Sequence, residues 1–178
     1  MAGIEPPSDS VATIAAADGA DRINRGVFSS NVDAWATPES FMAVLRREFT
    51  FDLDPCALDS SAKAPRYFTP DDDGLSRRWC GTVFMNPPYG RVIGRWVAKA
   101  RQEAANGATV VALIPARTET TWWHENVMPH ASEIRFIRGR LHFGGDHERT
   151  AHNAPFPSAV VIFRPEGGPP TLSTIDRE

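Results

Sequence analysis

The segment Thr109-Val110-Val111-Ala112-Leu113-Ile114 is apolar without interruption and has the length of a strand rather than a helix. A strand with one wet face alternates apolar and polar residues. An unbroken apolar run fits a strand covered on both faces, as in a parallel sheet flanked by helices. A second buried strand, Thr82-Val83-Phe84-Met85, lies upstream. Between the two, Ile93, Trp96, Val97, Ala100 and Ala104 recur at helical spacing, and Asn106-Gly107 supplies the stop. Strand, helix and strand in that order imply a parallel pair. The chain therefore reads as α/β with a mainly parallel sheet.

A length of 178 residues suits one domain. Thr37-Pro38-Glu39 reads as a helix start, with Thr37 as N-cap and Pro38 at the first helical position. Phe41, Val44, Leu45 and Phe49 then give that helix one inward face. Phe51-Asp52-Leu53-Asp54 is a short strand closed by Pro55, and residues 58–79 are loop-rich, with a turn at 69–74. A short helix near 121–128 and strands at 133–137 and 158–163 complete the pattern. Residues 1–30 read as a flexible arm, 31–164 as the domain, and the Gly/Pro-rich residues 165–178 as a flexible tail.

Composition removes several classes. With 19 Lys plus Arg against 22 Asp plus Glu, the formal charge is -3. A protein that grips nucleic acid through bulk positive charge is excluded, but an enzyme with a local basic patch is not. The two cysteines, Cys56 and Cys80, and the scattered histidines lack metal-ligand spacing, so no metal is expected. No apolar run reaches the roughly 18–20 residues of a membrane span, and no signal peptide opens the chain. A cytoplasmic protein without a membrane partner is expected.

The most specific chemistry sits where the strand 82–85 runs into Asn86-Pro87-Pro88-Tyr89. Open α/β sheets bind their ligands at the carboxyl ends of strands. The exocyclic amine of a base is planar and a poor nucleophile, because its lone pair is delocalised into the ring. Two acceptors, each bonded to one N–H, draw the nitrogen toward a tetrahedral shape and aim its lone pair out of the ring. Asn86 can supply a side-chain carbonyl and Pro87 a main-chain carbonyl. Pro87 and Pro88 fix the local backbone so that both acceptors face one way, an orientation effect. Tyr89 offers a flat face for a base, with stacking worth ~1–3 kcal/mol. A plain proline turn after a strand is the competing reading of these four residues.

Taken with its neighbours, the chain resembles the S-adenosylmethionine-dependent DNA adenine-N6 methyltransferases, and most closely the small phage-type Dam family. The resemblance runs from about residue 29 to 163. Trp35-Ala36-Thr37-Pro38 is similar to the family's opening cofactor motif, and Leu53-Asp54-Pro55-Cys56-Ala57 to the strand-end motif that wraps the cofactor's methionine part. Asp73-Gly74-Leu75 resembles the element whose carboxylate approaches the cofactor's adenine. Arg138-Gly139-Arg140-Leu141-His142-Phe143 and Ala154-Pro155-Phe156-Pro157-Ser158 resemble late segments of the same family. The resemblance implies a single Rossmann-like methyltransferase domain, S-adenosylmethionine as cofactor, and methyl transfer to N6 of an adenine flipped out of double-stranded DNA. It implies catalytic roles for Asn86, Pro87, Pro88 and Tyr89, and cofactor contacts from Thr37, Pro38, Asp54, Pro55, Cys56, Ala57 and Asp73.

Arg117, Arg138 and Arg140 are candidate phosphate contacts, with Arg135 in the same cluster, and Phe143 is a candidate second wall of the base pocket. Thr37 and Pro38 also fit a plain helix cap, Asp54 a strand-end turn, and the arginines ordinary surface charges. The stretch from Asp54 to Asp72 is too short for a helix and strand between the two cofactor motifs. The first half is thus shortened, and Asp59 is the remaining candidate for the cofactor's ribose. With no separate recognition domain, target reading falls to residues 144–153 and the N-terminal arm. Two rival readings stay open: a protein glutamine methyltransferase using the same Asn-Pro-Pro-Tyr, and a non-catalytic DNA-binding relative. Neither the recognition sequence nor the oligomeric state is legible.

Overall fold

The structure, a computed structural model, describes residues 36–143 and 152–178. The expected arm at 1–30, Trp35, and residues 144–151 of the expected target-reading loop lie outside the described residues.

The elements follow in the order α1 (Glu39–Arg46), β1 (Leu53–Asp54), β2 (Arg66–Tyr67), a 3-10 turn (Pro70–Asp72), β3 (Thr82–Met85), α2 (Ile93–Ala105) and β4 (Thr109–Pro115). A π-wound turn (Trp123–Val127), β5 (Glu133–Arg138), β6 (His142–Phe143), β7 (His152–Asn153), β8 (Ser158–Phe163) and β9 (Thr171–Asp176) complete it. The main sheet has seven strands in the order β2-β1-β3-β4-β8-β5-β9, and β6 pairs with β7 apart from it. Only β8 is antiparallel to its neighbours, so all other strands of this sheet point one way. This is the mainly parallel, Rossmann-like sheet expected of the sequence.

The apolar runs divide between the two faces with a period of two. Val83 and Met85, Val110, Ala112 and Ile114, and Ala159, Val161 and Phe163 pack with Trp96, Val97 and Ala100 of α2 and with Trp123. Phe84, Val111, Leu113, Val160 and Ile162 pack on the opposite face with Phe41, Met42 and Leu45 of α1. Both faces are covered, as the unbroken run at 109–114 requires.

Three expectations change. Helix α1 starts at Glu39 with Pro38 at the cap position and no side-chain cap bond; the Pro38 carbonyl accepts from Met42 N–H at 3.0 Å. Thr37 is not the cap because its hydroxyl is engaged elsewhere. In the shortened first half a strand does form, but β2 has two residues and the chain reaches it through turns, without a helix. The expected flexible tail is in part a strand. Thr171–Asp176 pairs in parallel with β5, from Glu133↔Thr171 to Arg138↔Asp176, and satisfies the outer backbone edge of β5. The strand eluded the sequence pattern because its side chains are largely exposed, Leu172 included, so no apolar alternation marks it.

Behind α1 a charged cluster clamps helix to sheet. Arg135 of β5 donates to both carboxylate oxygens of Glu48, at 2.5 and 2.8 Å, and to Glu133 at 2.9 and 2.5 Å. Arg164, just past β8, donates to Glu133 at 2.7 Å, and both guanidinium groups lie over the Phe49 ring. The Arg135 bonds hold the Glu48 carboxyl below its ordinary value of 4.5. At Glu133 burial pushes the carboxyl up, but the bonds from Arg164 and Arg135 outweigh it and the net shift is downward. Carboxyls lowered in this way stabilise the fold above their unfolded pKa and lose that contribution as pH falls through the lowered values. Arg135→Met is expected to cost about 1–2 kcal/mol at pH 7, the low end for charged hydrogen bonds because Glu48 is half exposed. Urea unfolding across a pH series should show this difference shrinking below pH 4.5.

Candidate active site

Because β1, β3, β4 and β5 are co-directional, Asp54, Met85, Pro115 and Arg138 mark their carboxyl ends on one rim of the sheet. From β1 the chain moves outward to β2 and then returns to β3 on the other side of β1. The gap between the ends of β1 and β3 is therefore a topological switch point, where such sheets form a ligand crevice. Asp54 flanks this crevice on one side and Asn86 on the other.

Asp54 is 4% exposed. Its carboxylate accepts from Cys56 N–H at 3.3 Å and Lys63 N–H at 3.1 Å, which bends residues 55–63 around it. Burial pushes its carboxyl up to about 6, against the pull of those two N–H groups and the Lys63 charge. An ionised carboxylate there is short of positive charge. Asp54 thus shapes the loop, as the turn reading expects, and places a buried carboxyl at the crevice. Pro55, Cys56 and Ala57 are buried in that loop, and the Cys56 thiol receives the backbone N–H of Asn86, linking the two sides of the crevice.

The acidic run splits by geometry. Asp72 caps the 3-10 turn, accepting from Thr69 N–H at 2.9 Å and the Thr69 hydroxyl at 2.8 Å. Asp73 instead takes the left-handed conformation, φ 50°, uncommon for a residue with a side chain. Gly74 follows, and a Cβ on it would stand 2.0 Å from the Pro55 carbonyl oxygen. Glycine is needed because the two backbones touch. This contact sets the turn that carries Asp73 against the Asp54 loop. Trp79 locks the turn: its indole N–H donates to the Gly74 carbonyl at 2.8 Å. Its backbone N–H donates to buried Glu103 at 3.2 Å, and Glu103 is paired with Lys99. Asp59, on the outer side, accepts from the Tyr67 hydroxyl at 2.9 Å.

On the other side, the Asn86 amide nitrogen donates to the Thr37 hydroxyl at 3.0 Å, and its carbonyl oxygen accepts from the Tyr89 hydroxyl at 2.8 Å. Burial pushes the Tyr89 phenol up, so it stays a neutral O–H donor. Pro87 is buried and Pro88 half-buried. The Tyr89 ring meets Phe143 edge-on at 6.3 Å and Phe156 at 5.4 Å, and the Arg117 guanidinium lies over Phe156 at 5.5 Å. Phe143 is 1% exposed and supports Tyr89 from within the core. Phe156, half-buried, was not singled out from the sequence; its place in the Ala154–Ser158 motif was the available signal.

Arg117, Arg138 and Arg140 are exposed on the rim, and Arg138 makes a loose 3.4 Å pair with equally exposed Asp176. Arg135 is not part of this set, because Glu48 and Glu133 hold it. Trp122 and Trp123 meet edge-on at 5.7 Å against the core, as packing residues. Among the described residues no three His, Cys, Asp or Glu side chains are grouped to hold a metal, and no helix is long and apolar enough to cross a membrane.

Residues 26–178 match the family described as DNA N-6-adenine-methyltransferase (Dam). A DNA N-6-adenine-methyltransferase of Haemophilus phage HP1 (strain HP1c1) is 31% identical over 143 residues, spanning 77% of this chain and 82% of that protein. The geometry carries its own test. Gly74→Ala must push the turn off Pro55 and should cost about 1–3 kcal/mol, as overpacking does. Thermal unfolding followed through Trp79 and Trp96 fluorescence will measure it.

Proposed function

Given that this chain belongs to the DNA N-6-adenine-methyltransferase (Dam) family, we propose that Asn86 and Pro87 orient the adenine amine for methylation and that S-adenosylmethionine is the donor. The observation that carries the mechanism is the Asn86 side chain. Its carbonyl oxygen already accepts a hydrogen bond from a hydroxyl at 2.8 Å, so it is presented as an acceptor at the crevice. The N6 amine has two N–H groups. One would bond the Asn86 carbonyl oxygen and the other the Pro87 main-chain carbonyl, leaving the nitrogen lone pair directed away from both. The Pro87-Pro88 backbone resists rotation, so little reorganisation accompanies the reaction.

The crevice suits a cationic donor. Asp54 is buried, with two backbone N–H groups and the nearby Lys63 charge to offset its desolvation, and a ligand bearing an ammonium would bring its carboxyl back down. The residues that would hold the donor are Asp54, Pro55, Cys56 and Ala57 on the first loop, Asp73 on the abutting turn, and Pro38 from the opposite flank, while the Thr37 hydroxyl faces Asn86. S-adenosylmethionine, when bound, supplies an electrophilic methyl group. The protein's own residues then position the amine and limit water.

Adenine N6 in a duplex is engaged in a base pair, so the base would leave the stack at a cost of a few kcal/mol. Tyr89 and Phe156 would receive it, with Phe143 behind. Arg117, Arg138 and Arg140, on the same rim, would take backbone phosphates on either side of the flipped base.

Asn86→Ala is expected to abolish methylation of adenine-containing duplex DNA while donor affinity, measured by calorimetry, changes only a few-fold. Methylation at the parental rate would refute the amine-orienting mechanism. The arginines make a separate prediction. Each phosphate contact should contribute ~0.9 to the log–log slope of affinity against salt. Arg117→Ala or Arg140→Ala should flatten that slope by about one unit, with random and target duplexes affected alike. Unchanged slopes would make these residues ordinary surface charges.

A further inference from the structure

The hydrogen bond between Asn86 and Thr37 spans the chain from the segment before α1 to the end of β3. Thr37 is 3% exposed, so its hydroxyl has been taken out of water. Burial of a hydroxyl carries a cost unless a partner compensates, and here that partner is the amide of Asn86. Building on the proposed reaction, we infer that Thr37 is a positioning residue: it accepts from the Asn86 amide nitrogen and thereby fixes which end of that amide faces the substrate amine.

The need for such a device follows from the asymmetry of the asparagine side chain. One end accepts hydrogen bonds and the other donates two. A half-turn about its last torsion exchanges them with little change of shape. An adenine amine is itself a double donor, so a turned Asn86 would set N–H groups against N–H groups. Only one orientation accepts. With Thr37 on the nitrogen side and the neutral Tyr89 hydroxyl on the oxygen side, both ends of the amide have a designated neighbour. The position of Thr37 is itself fixed, because α1 is packed through Phe41, Met42 and Leu45 and Pro38 limits the backbone beside it. This role differs from a direct contact with the donor, and the two predict different kinetics.

Thr37→Val keeps the shape and removes the hydroxyl, while Thr37→Ser keeps the hydroxyl. The Val variant should lower kcat about 10- to 100-fold, the size expected for a misdirected catalytic group, with donor affinity within about threefold of the parent. Ser should restore most of the rate. A change in donor affinity with unchanged kcat, or parental kcat in the Val variant, would overturn the inference. Combining Thr37→Val with Asn86→Asp adds a control for any general loss of packing. A carboxylate accepts at both ends and has no wrong face, so the Val substitution should be nearly silent in that background; an equal loss there would mean packing alone. Hydrogen exchange of the Asn86 side-chain amide, read by NMR, needs no turnover. Protection in the parent and its loss in Thr37→Val support the lock even if the parent proves not to methylate adenine, and equal exchange in both proteins refutes it.

Discussion

The parallel pairing of β3 with β4 sets the height of everything around the crevice. The register Met85↔Ala112 ends β3 while β4 continues through Leu113, Ile114 and Pro115. At about 3.3 Å per residue, β4 rises roughly 10 Å beyond the end of β3. The antiparallel β8 starts at Ser158 opposite Pro115, so it builds the same wall. On the low side, Leu53↔Val83 ends β1 one residue short of β3. The rim is thus a step. Asp54 and Asn86 occupy the tread, and Phe156 and Arg117 stand on the riser above them. A slip of one residue in the β3–β4 register would turn Asn86 to the other face of the sheet and separate it from Thr37.

That step is held from outside the site. Helix α1 is only eight residues long, too short to persist in water without tertiary packing. Its apolar face is seated on the sheet, and just beyond its far end Glu48 and Phe49 are gripped by Arg135 and Arg164. The near end leads directly from Thr37. Packing and charge at one end of the helix therefore determine where a hydroxyl sits at the other. The turn carrying Asp73 is held by similar means, through the Gly74–Pro55 approach and the Trp79–Glu103 anchor.

What could be read from the sequence follows from which signals are local. The strands 82–85 and 109–114, the helix between them and the Asn86–Tyr89 turn were legible, because each is specified by its own periodicity or prolines. Arg135 looked like its neighbours Arg138 and Arg140; only the fold brings Glu48 to it. The run 158–163 is apolar on both faces, and that composition marks burial without giving strand direction, which is why the reversal of β8 was not visible. β9 exists because β5 offers an open edge, a cause located more than thirty residues away. Thr37-Pro38-Glu39 has the composition of a cap, yet a distant amide claims the threonine hydroxyl. In each of these cases a tertiary partner decides between two locally acceptable roles.

The distribution of charge along the rim resolves how a chain of net charge -3 can serve DNA. The β1–β2 end of the rim carries Asp54, Asp59 and the run Asp71, Asp72 and Asp73, and the β4–β5 end carries Arg117, Arg138 and Arg140. Averaged over the molecule these nearly cancel. Along the sheet order these aspartates lie toward one end and the exposed arginines toward the other. On the proposed reading, a cationic methyl donor would be favoured at the first end and polyanionic DNA at the second, with Asn86 between them at the end of β3. Screening at physiological salt acts over about 8 Å, so each ligand senses mainly its own half of the edge. Bulk charge is therefore the wrong quantity for this fold; under the proposed mechanism the order of the strands would separate the two partners electrostatically and bring them together at the Asn86 amide.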